Sequence, residues 1–184
     1  SFFIVAVFFG HGLHGFHGFI ALCFRVIRTY KTIIKNSNST RIEILDMYKK
    51  EIVRTGVPFY PVVGNHDNEA YVQGDSEAAA AYRSKMGPEN YAFCLGKDVV
   101  IVLDNIIYDT NFKMALGYTD QVIAWVKGLL KEIPSTAEIY VAQHVPMGRS
   151  NRKLQNQEAL IRGGNHFYTY RCIVRICFGN LVWI

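Results

Sequence analysis

The residues best suited to chemistry are Asn65, His66 and Asp67, three consecutive polar residues that follow a short apolar run. An Asn side-chain oxygen can bind a hard or borderline metal ion. A His imidazole can donate to a developing oxyanion or protonate a leaving group, and a neighbouring Asp can fix its tautomer. Because Asn and Asp are also common turn formers, the same triplet is typical of a plain turn.

A second candidate residue, His144, lies far along the chain, between an apolar run and Val145-Pro146. Pro146 favours a sharp exit from the preceding strand, which would present the imidazole on a rigid element. A lone His after a strand is also typical of an ordinary surface or core position. The two motifs together favour a functional site over two unrelated polar turns.

Hydrophobic periodicity predicts the elements that position these residues. Helices are predicted over 42–55 with Gly56 as its stop, over 76–86 with Ser76 as N-cap, and over 119–133 between Thr119 and Pro134. Strands are predicted over 58–63 and 137–142, and over 91–95 and 99–105 as a hairpin.

The third helix has the clearest pattern. Its predicted buried face consists of Val122, Trp125, Val126, Leu129 and Leu130. Strands and helices alternate, and the polar motifs come just after strands, where open α/β sheets place their ligand sites. The sequence therefore predicts an α/β domain with a site at the strand ends.

The run Gly64-Asn65-His66-Asp67 after one strand, with His144 and x-Pro after a later one, resembles the calcineurin-like metallophosphoesterases. Leu103-Asp104-Asn105 and the Trp125-containing helix are also similar to that family. The resemblance covers roughly residues 44–147. It implies a four-layer α/β/β/α sandwich of mixed sheets, incomplete at the N-terminus, and hydrolysis of phosphate mono- or diesters at a dinuclear metal site.

The resemblance also implies roles for individual residues. Asn65 and His144 would ligate one metal of the pair, while His66 would stabilise the transition state and Asp67 would orient it. His166, in Gly163-Gly164-Asn165-His166, resembles the end of the family's closing Gly-His-x-His motif and is a further candidate ligand. Manganese, iron or zinc would each suit mixed oxygen and nitrogen ligands.

The two ends of the chain depart from the family's pattern. Residues 1–41 contain no Asp, so the family's N-terminal Asp-x-His is missing, as is its Gly-Asp pair. His11, His14 and His17 are alternative ligands there, although the glycines among them disfavour a helix that would align the three side chains. The chain is expected to divide into a divergent segment over 1–41, a metallophosphoesterase-like core over 42–150, and a divergent or degenerate segment over 151–184.

Composition is ordinary for a globular protein, and the net charge of +5 is scattered, which does not favour a nucleic-acid partner. No apolar stretch approaches the ~20 residues of a membrane helix, and no signal peptide is predicted, so the compartment stays open. The expected partner is a phosphorylated small-molecule or macromolecular substrate. Because the metal ligands are incomplete, a non-catalytic module that binds a phosphorylated ligand and a structural remnant are alternatives to an active hydrolase.

Overall fold

The computed structural model of the chain describes residues 5–7, 40–56, 58–69, 72–109, 111, 113–145, 147, 154–161 and 171–172, with the backbone alone at 5–7, 95, 161 and 171–172. The helices are α1 (Arg41–Val53), α2 (Asp75–Ala78), α3 (Ala80–Met86), α4 (Asp120–Glu132) and α5 (Gln157–Ile161). The strands are β1 (Val5–Val7), β2 (Tyr60–Val62), β3 (Tyr91–Leu95), β4 (Asp98–Leu103), β5 (Ile106–Tyr108), β6 (Met114–Leu116), β7 (Ile139–Gln143) and β8 (Arg171–Cys172).

The largest sheet in these ranges has four strands in the order β3-β4-β7-β8. β3 and β4 form the predicted antiparallel hairpin, whereas β4, β7 and β8 run parallel. Two further sheets are antiparallel pairs, β1 with β2 and β5 with β6. The chain is thus a mixed α/β protein with small mixed sheets, as the alternating pattern predicts. Over the described residues, no helix has the length and apolar character needed to cross a membrane.

One face of the four-stranded sheet packs against α4. Alternate residues of β4 and β7, paired in parallel register, point to this side and meet the buried side of the helix. The main contributors are Val99, Ile101, Leu103, Ile139 and Val141 from the sheet and Ile123, Val126 and Leu130 from the helix. This cluster is the main core, and Leu154 and Leu160 from the segment around α5 also lie in it.

The opposite face of the same sheet packs against β2. Val62 of β2 is fully buried there with Val100, Val102 and Ala142. Beyond β2 lie α1 and α3, where Leu45 of α1 and Tyr82 of α3 enclose Val63. From α4 outward the order of packing is therefore helix, sheet, strand pair and helices. β2 and β7 therefore belong to two facing sheets, and the cluster around Val62 lies between those sheets.

Local sequence signals account for the two long helices. Thr40 and Glu43 form a capping box at the start of α1, since the Thr40 N–H donates to Glu43 Oε2 at 2.7 Å and the Glu43 N–H donates to Thr40 Oγ1 at 3.4 Å. At the start of α4 the Val122 N–H donates to Thr119 Oγ1 at 3.3 Å. The predictions of a helix near 42–55 and of Thr119 as the cap of the later helix are confirmed.

The predicted helix over 76–86 is wrong in two respects. It begins at Asp75 after Gly74, whose φ of 96° suits glycine, and it is interrupted at Ala79. Ser76 is therefore not the N-cap; its hydroxyl instead accepts from Arg83 Nη2 at 3.2 Å. At the interruption, the Ala78 carbonyl accepts from the Glu69 N–H at 2.8 Å. The break in the helix thus coincides with a backbone contact to a residue nine positions earlier, outside the helix.

The predicted buried face of α4 is also partly wrong. Trp125 is 37% exposed, whereas Ile123, which the prediction omits, is buried. At about 100° per residue, Trp125 lies about 200° around the helix from Ile123 and so points away from the core. Val126 and Leu130 are buried as predicted, and Val122 and Leu129 pack at the edge of the cluster.

Candidate functional site

The turn that follows β2 is held by its own residues. The Gly64 N–H donates to Asp67 Oδ2 at 2.8 Å, and the Asp67 N–H donates back to the Gly64 carbonyl at 2.9 Å. Asp67 is fully buried, while Asn65 and His66 are partly exposed. The reciprocal bonds therefore direct the two middle side chains of the turn outward from the core.

His144 follows β7 directly, and its position depends on the backbone of the next residue. Asn105 Nδ2 donates to the Val145 carbonyl at 2.7 Å, and the Val145 N–H donates to Asn105 Oδ1 at 3.2 Å. Gln143 Nε2 donates to the same carbonyl at 2.9 Å, and the Tyr118 hydroxyl donates to Gln143 Oε1 at 2.6 Å. A buried polar network thus fixes the turn that carries His144.

The two sequence motifs meet in the folded chain. His144 Nε2 lies 3.0 Å from Asn65 Oδ1, although the two residues are 79 positions apart. With an amide oxygen as the acceptor, this distance is that of an N–H···O hydrogen bond. It is also the spacing of two atoms about 2.1 Å from one metal ion and about 90° apart around it. Both predicted ligand atoms therefore point at one location.

The side chains around this location decide whether a metal ion could bind there. Among the residues that the structure describes, no group of three or more His, Cys, Asp or Glu side chains could hold a metal ion. Asn65 and His144 are both neutral, and neutral ligands do not offset the charge of two divalent ions. The described residues thus fit two adjacent positions around one ion and do not fit a dinuclear centre. His166, like His11, His14 and His17, lies outside the described residues.

His66, the third candidate residue, follows Asn65 in the Gly64–Asp67 turn and is partly exposed. Burial lowers its pKa below the usual value of 6.5, and the positive charge of Arg41 lowers it further. Its imidazole is therefore neutral at pH 7, and a neutral imidazole presents one N–H donor and one acceptor nitrogen.

Asp67 is in an environment that favours its protonated form. Burial raises its pKa to about 8, against smaller opposing effects of the Gly64 hydrogen bond and the Arg41 charge. Its Oδ1 atom is buried and makes no hydrogen bond within the described part of the chain. The carboxyl group thus closes the Gly64–Asp67 turn through one oxygen. The role of orienting His66 stays a prediction.

Several residues of this region were missed from the sequence. Asn105 stands out only as part of the Leu103-Asp104-Asn105 motif, and no pattern marks Tyr108, whose hydroxyl donates to the Asn65 carbonyl at 3.3 Å. The Tyr108 N–H donates in turn to Asp75 Oδ1 at 2.9 Å, which ties this strand to α2. These contacts join residues 33 to 43 positions apart, and no local spacing signals them.

Comparison of the chain with protein-family models, curated proteins and solved structures found no match.

Proposed function

We propose that the chain is a metal-dependent phosphoesterase domain of the calcineurin-like kind. In this proposal Asn65 and His144 hold one divalent ion, of manganese, iron or zinc, and His66 contacts the phosphate of the substrate. The observation that carries the proposal is the 3.0 Å approach of Asn65 Oδ1 and His144 Nε2, with His66 next to Asn65 in the chain. The two predicted ligand atoms come from distant segments of the chain, and the fold brings them to one place.

The packing order supports the same proposal. The resemblance implies a four-layer α/β/β/α sandwich, and α4, the four-stranded sheet, β2 and the α1–α3 pair pack in that sequence. The candidate residues follow β2 and β7, one from each of the two facing sheets. A substrate bound at these strand ends would meet residues from both sheets at once.

The chemistry follows from what each side chain can donate. A divalent ion held by this pair would withdraw charge from a phosphate oxygen. The neutral imidazole of His66 donates one N–H to a phosphoryl or leaving-group oxygen, where it offsets the negative charge that develops in the transition state. The reciprocal bonds between Gly64 and Asp67 hold His66 in place through its backbone. The substrate class is a phosphate mono- or diester, on a small molecule or a macromolecule.

A non-catalytic module that binds a phosphorylated ligand is a second candidate. It is favoured by the charge around the site, since Arg41 lowers the pKa of His66 and opposes the rise in the pKa values of Asp67 and Tyr108. A guanidinium close enough to act on all three groups attracts an anion without any metal.

Replacing His66 by alanine is expected to lower kcat for an aryl phosphate monoester about 100-fold, because it removes the proposed donor to the phosphate. The affinity for Mn²⁺ should stay within about threefold of wild type, because His66 is not a proposed ligand. The measurement is p-nitrophenyl phosphate and bis-p-nitrophenyl phosphate hydrolysis with added Mn²⁺, alongside a Mn²⁺ titration of both proteins.

Three results separate the candidates. Hydrolysis by the wild type that the substitution abolishes supports the phosphoesterase. Binding of p-nitrophenyl phosphate without hydrolysis supports the second candidate. Equal hydrolysis by wild type and His66→Ala would contradict the role given to His66.

A further inference from the structure

The segment from Asp104 to Tyr108, which follows β4 and includes β5, touches both loops that carry the candidate ligands. Asn105 bonds both backbone groups of Val145, the residue after His144. Tyr108 donates its hydroxyl to the carbonyl of Asn65. The approach of Asn65 to His144 therefore depends on a third chain segment that contributes no ligand of its own.

Of Asn105 and Tyr108, Asn105 makes the stronger contacts with its loop. Its side chain is fully buried, and both of its polar atoms are used on one partner residue, with the amide donating at 2.7 Å and the carbonyl accepting at 3.2 Å. The Val145 N–H belongs to the peptide group shared with His144 and the Val145 C=O to the next one, so Asn105 holds both peptide groups that flank the Val145 Cα. Because the first of these groups includes the carbonyl of His144, the backbone from which the imidazole projects is held as well.

We infer that Asn105 is a positioning residue, which sets His144 Nε2 against Asn65 Oδ1 by holding both backbone groups of Val145. Only the expected change in metal affinity rests on the proposed function. The positioning of His144 by Asn105 is a property of the metal-free chain. Residues of this kind, one step behind a metal ligand, typically change affinity 10- to 100-fold when they are replaced.

The informative substitution is Asn105→Asp, which has nearly the same shape. A carboxylate still accepts from the Val145 N–H, but it cannot donate to the Val145 carbonyl. An oxygen would then face that carbonyl where Asn105 Nδ2 now lies at 2.7 Å, and the peptide would have to move. Leu130→Ala is the control, because Leu130, which is 4% exposed, lies in the same core cluster as Val145 but takes no part in the hydrogen bonds between Val145 and Asn105.

The first readout is the His144 imidazole N–H in ¹⁵N-histidine-labelled, metal-free protein, assigned by its loss in His144→Ala. In the tautomer with Nε2 protonated, this N–H donates to Asn65 Oδ1 and should exchange slowly with solvent. We expect its exchange to become at least tenfold faster in Asn105→Asp, as in Asn65→Ala, and to stay slow in folded Leu130→Ala. Unchanged exchange in Asn105→Asp, or a fast-exchanging proton in the wild type, would overturn the inference.

The second readout is Mn²⁺ affinity, which separates this inference from the proposed function. Asn105→Asp should weaken binding about 10- to 100-fold, and it should have no further effect in a His144→Ala background. A slow His144 N–H in a wild type that binds no Mn²⁺ would refute the proposed function and leave the positional role standing. Wild-type Mn²⁺ affinity in Asn105→Asp would refute the positional role alone.

Discussion

Gly117→Ala is expected to lower the free energy of unfolding by about 4 kcal/mol. Gly117 has a φ of 153°, a conformation that residues with a side chain rarely adopt and that costs about 1–3 kcal/mol. An added Cβ would also lie 2.5 Å from the Gln155 carbonyl oxygen and 2.7 Å from the Gln155 nitrogen. Because these are backbone atoms, the contact cannot be relieved by a side-chain rotation, and overpacking adds about 1–3 kcal/mol.

The effect should be specific to this position because Gly117 lies where residues 154–156 join the core. The Gln155 N–H donates to the Leu116 carbonyl at 2.7 Å, and the Tyr118 N–H donates to the Gln155 carbonyl at 3.2 Å. Gly128→Ala is the matched control, since a Cβ at Gly128 in α4 meets nothing within 4 Å. Urea unfolding of the three proteins measures both changes. A loss below 1 kcal/mol for Gly117→Ala would show that residues 116–118 and 154–156 do not pack this closely.

The second large effect is a loss of stability with rising pH, which is caused by Asp67. The fold raises the pKa of this carboxyl group from 3.8 to about 8, chiefly through burial. A raised pKa means that the folded chain keeps a proton that the unfolded chain has released. The contribution to stability is therefore complete below pH ~4 and is lost as the pH rises towards 8, by about 1.4 kcal/mol per unit.

Asp67→Asn removes this titration and keeps an oxygen that can accept from the Gly64 N–H. Between pH 5 and pH 7.5 the wild type is expected to lose about 3 kcal/mol more stability than the variant. Urea unfolding at both pH values, with a chelator present, gives the difference. Asp120→Asn, which removes an exposed carboxyl group from α4, should behave as the wild type. Parallel pH profiles for wild type and Asp67→Asn would contradict the buried, protonated Asp67.

The sequence predicts those parts of the fold whose causes are local. Thr119 and the apolar spacing of α4 specify that helix, and the hairpin of β3 and β4 follows from two apolar runs with Gly96 between them. The interruption at Ala79 could not be predicted in this way. It coincides with the hydrogen bond from the Glu69 N–H to the Ala78 carbonyl, nine positions along the chain, which competes with an otherwise favourable Ala-rich helix.

The same distinction between local and tertiary causes applies to the candidate site. Asn65, His66 and His144 stand out in the sequence because polar residues after apolar runs are conspicuous, and the resemblance to a known motif links them. Asn105 is not conspicuous, because its contacts with Val145 span 40 positions. Nor does the sequence indicate that Asp67 is fully buried, since Asp in a turn is usually exposed. Burial depends on tertiary packing near the turn, where Leu45 of α1 and Tyr82 of α3 enclose Val63, the residue before Gly64.

The proposed metal site of Asn65 and His144 is tested most directly by a Mn²⁺ titration of the metal-free chain. His144→Ala is the ligand variant, and His66→Ala is the control that removes a neighbouring imidazole. We expect saturable binding by the wild type and by His66→Ala, and at least a 100-fold loss of affinity in His144→Ala. Equal affinity in all three proteins, or no binding by the wild type, would contradict it.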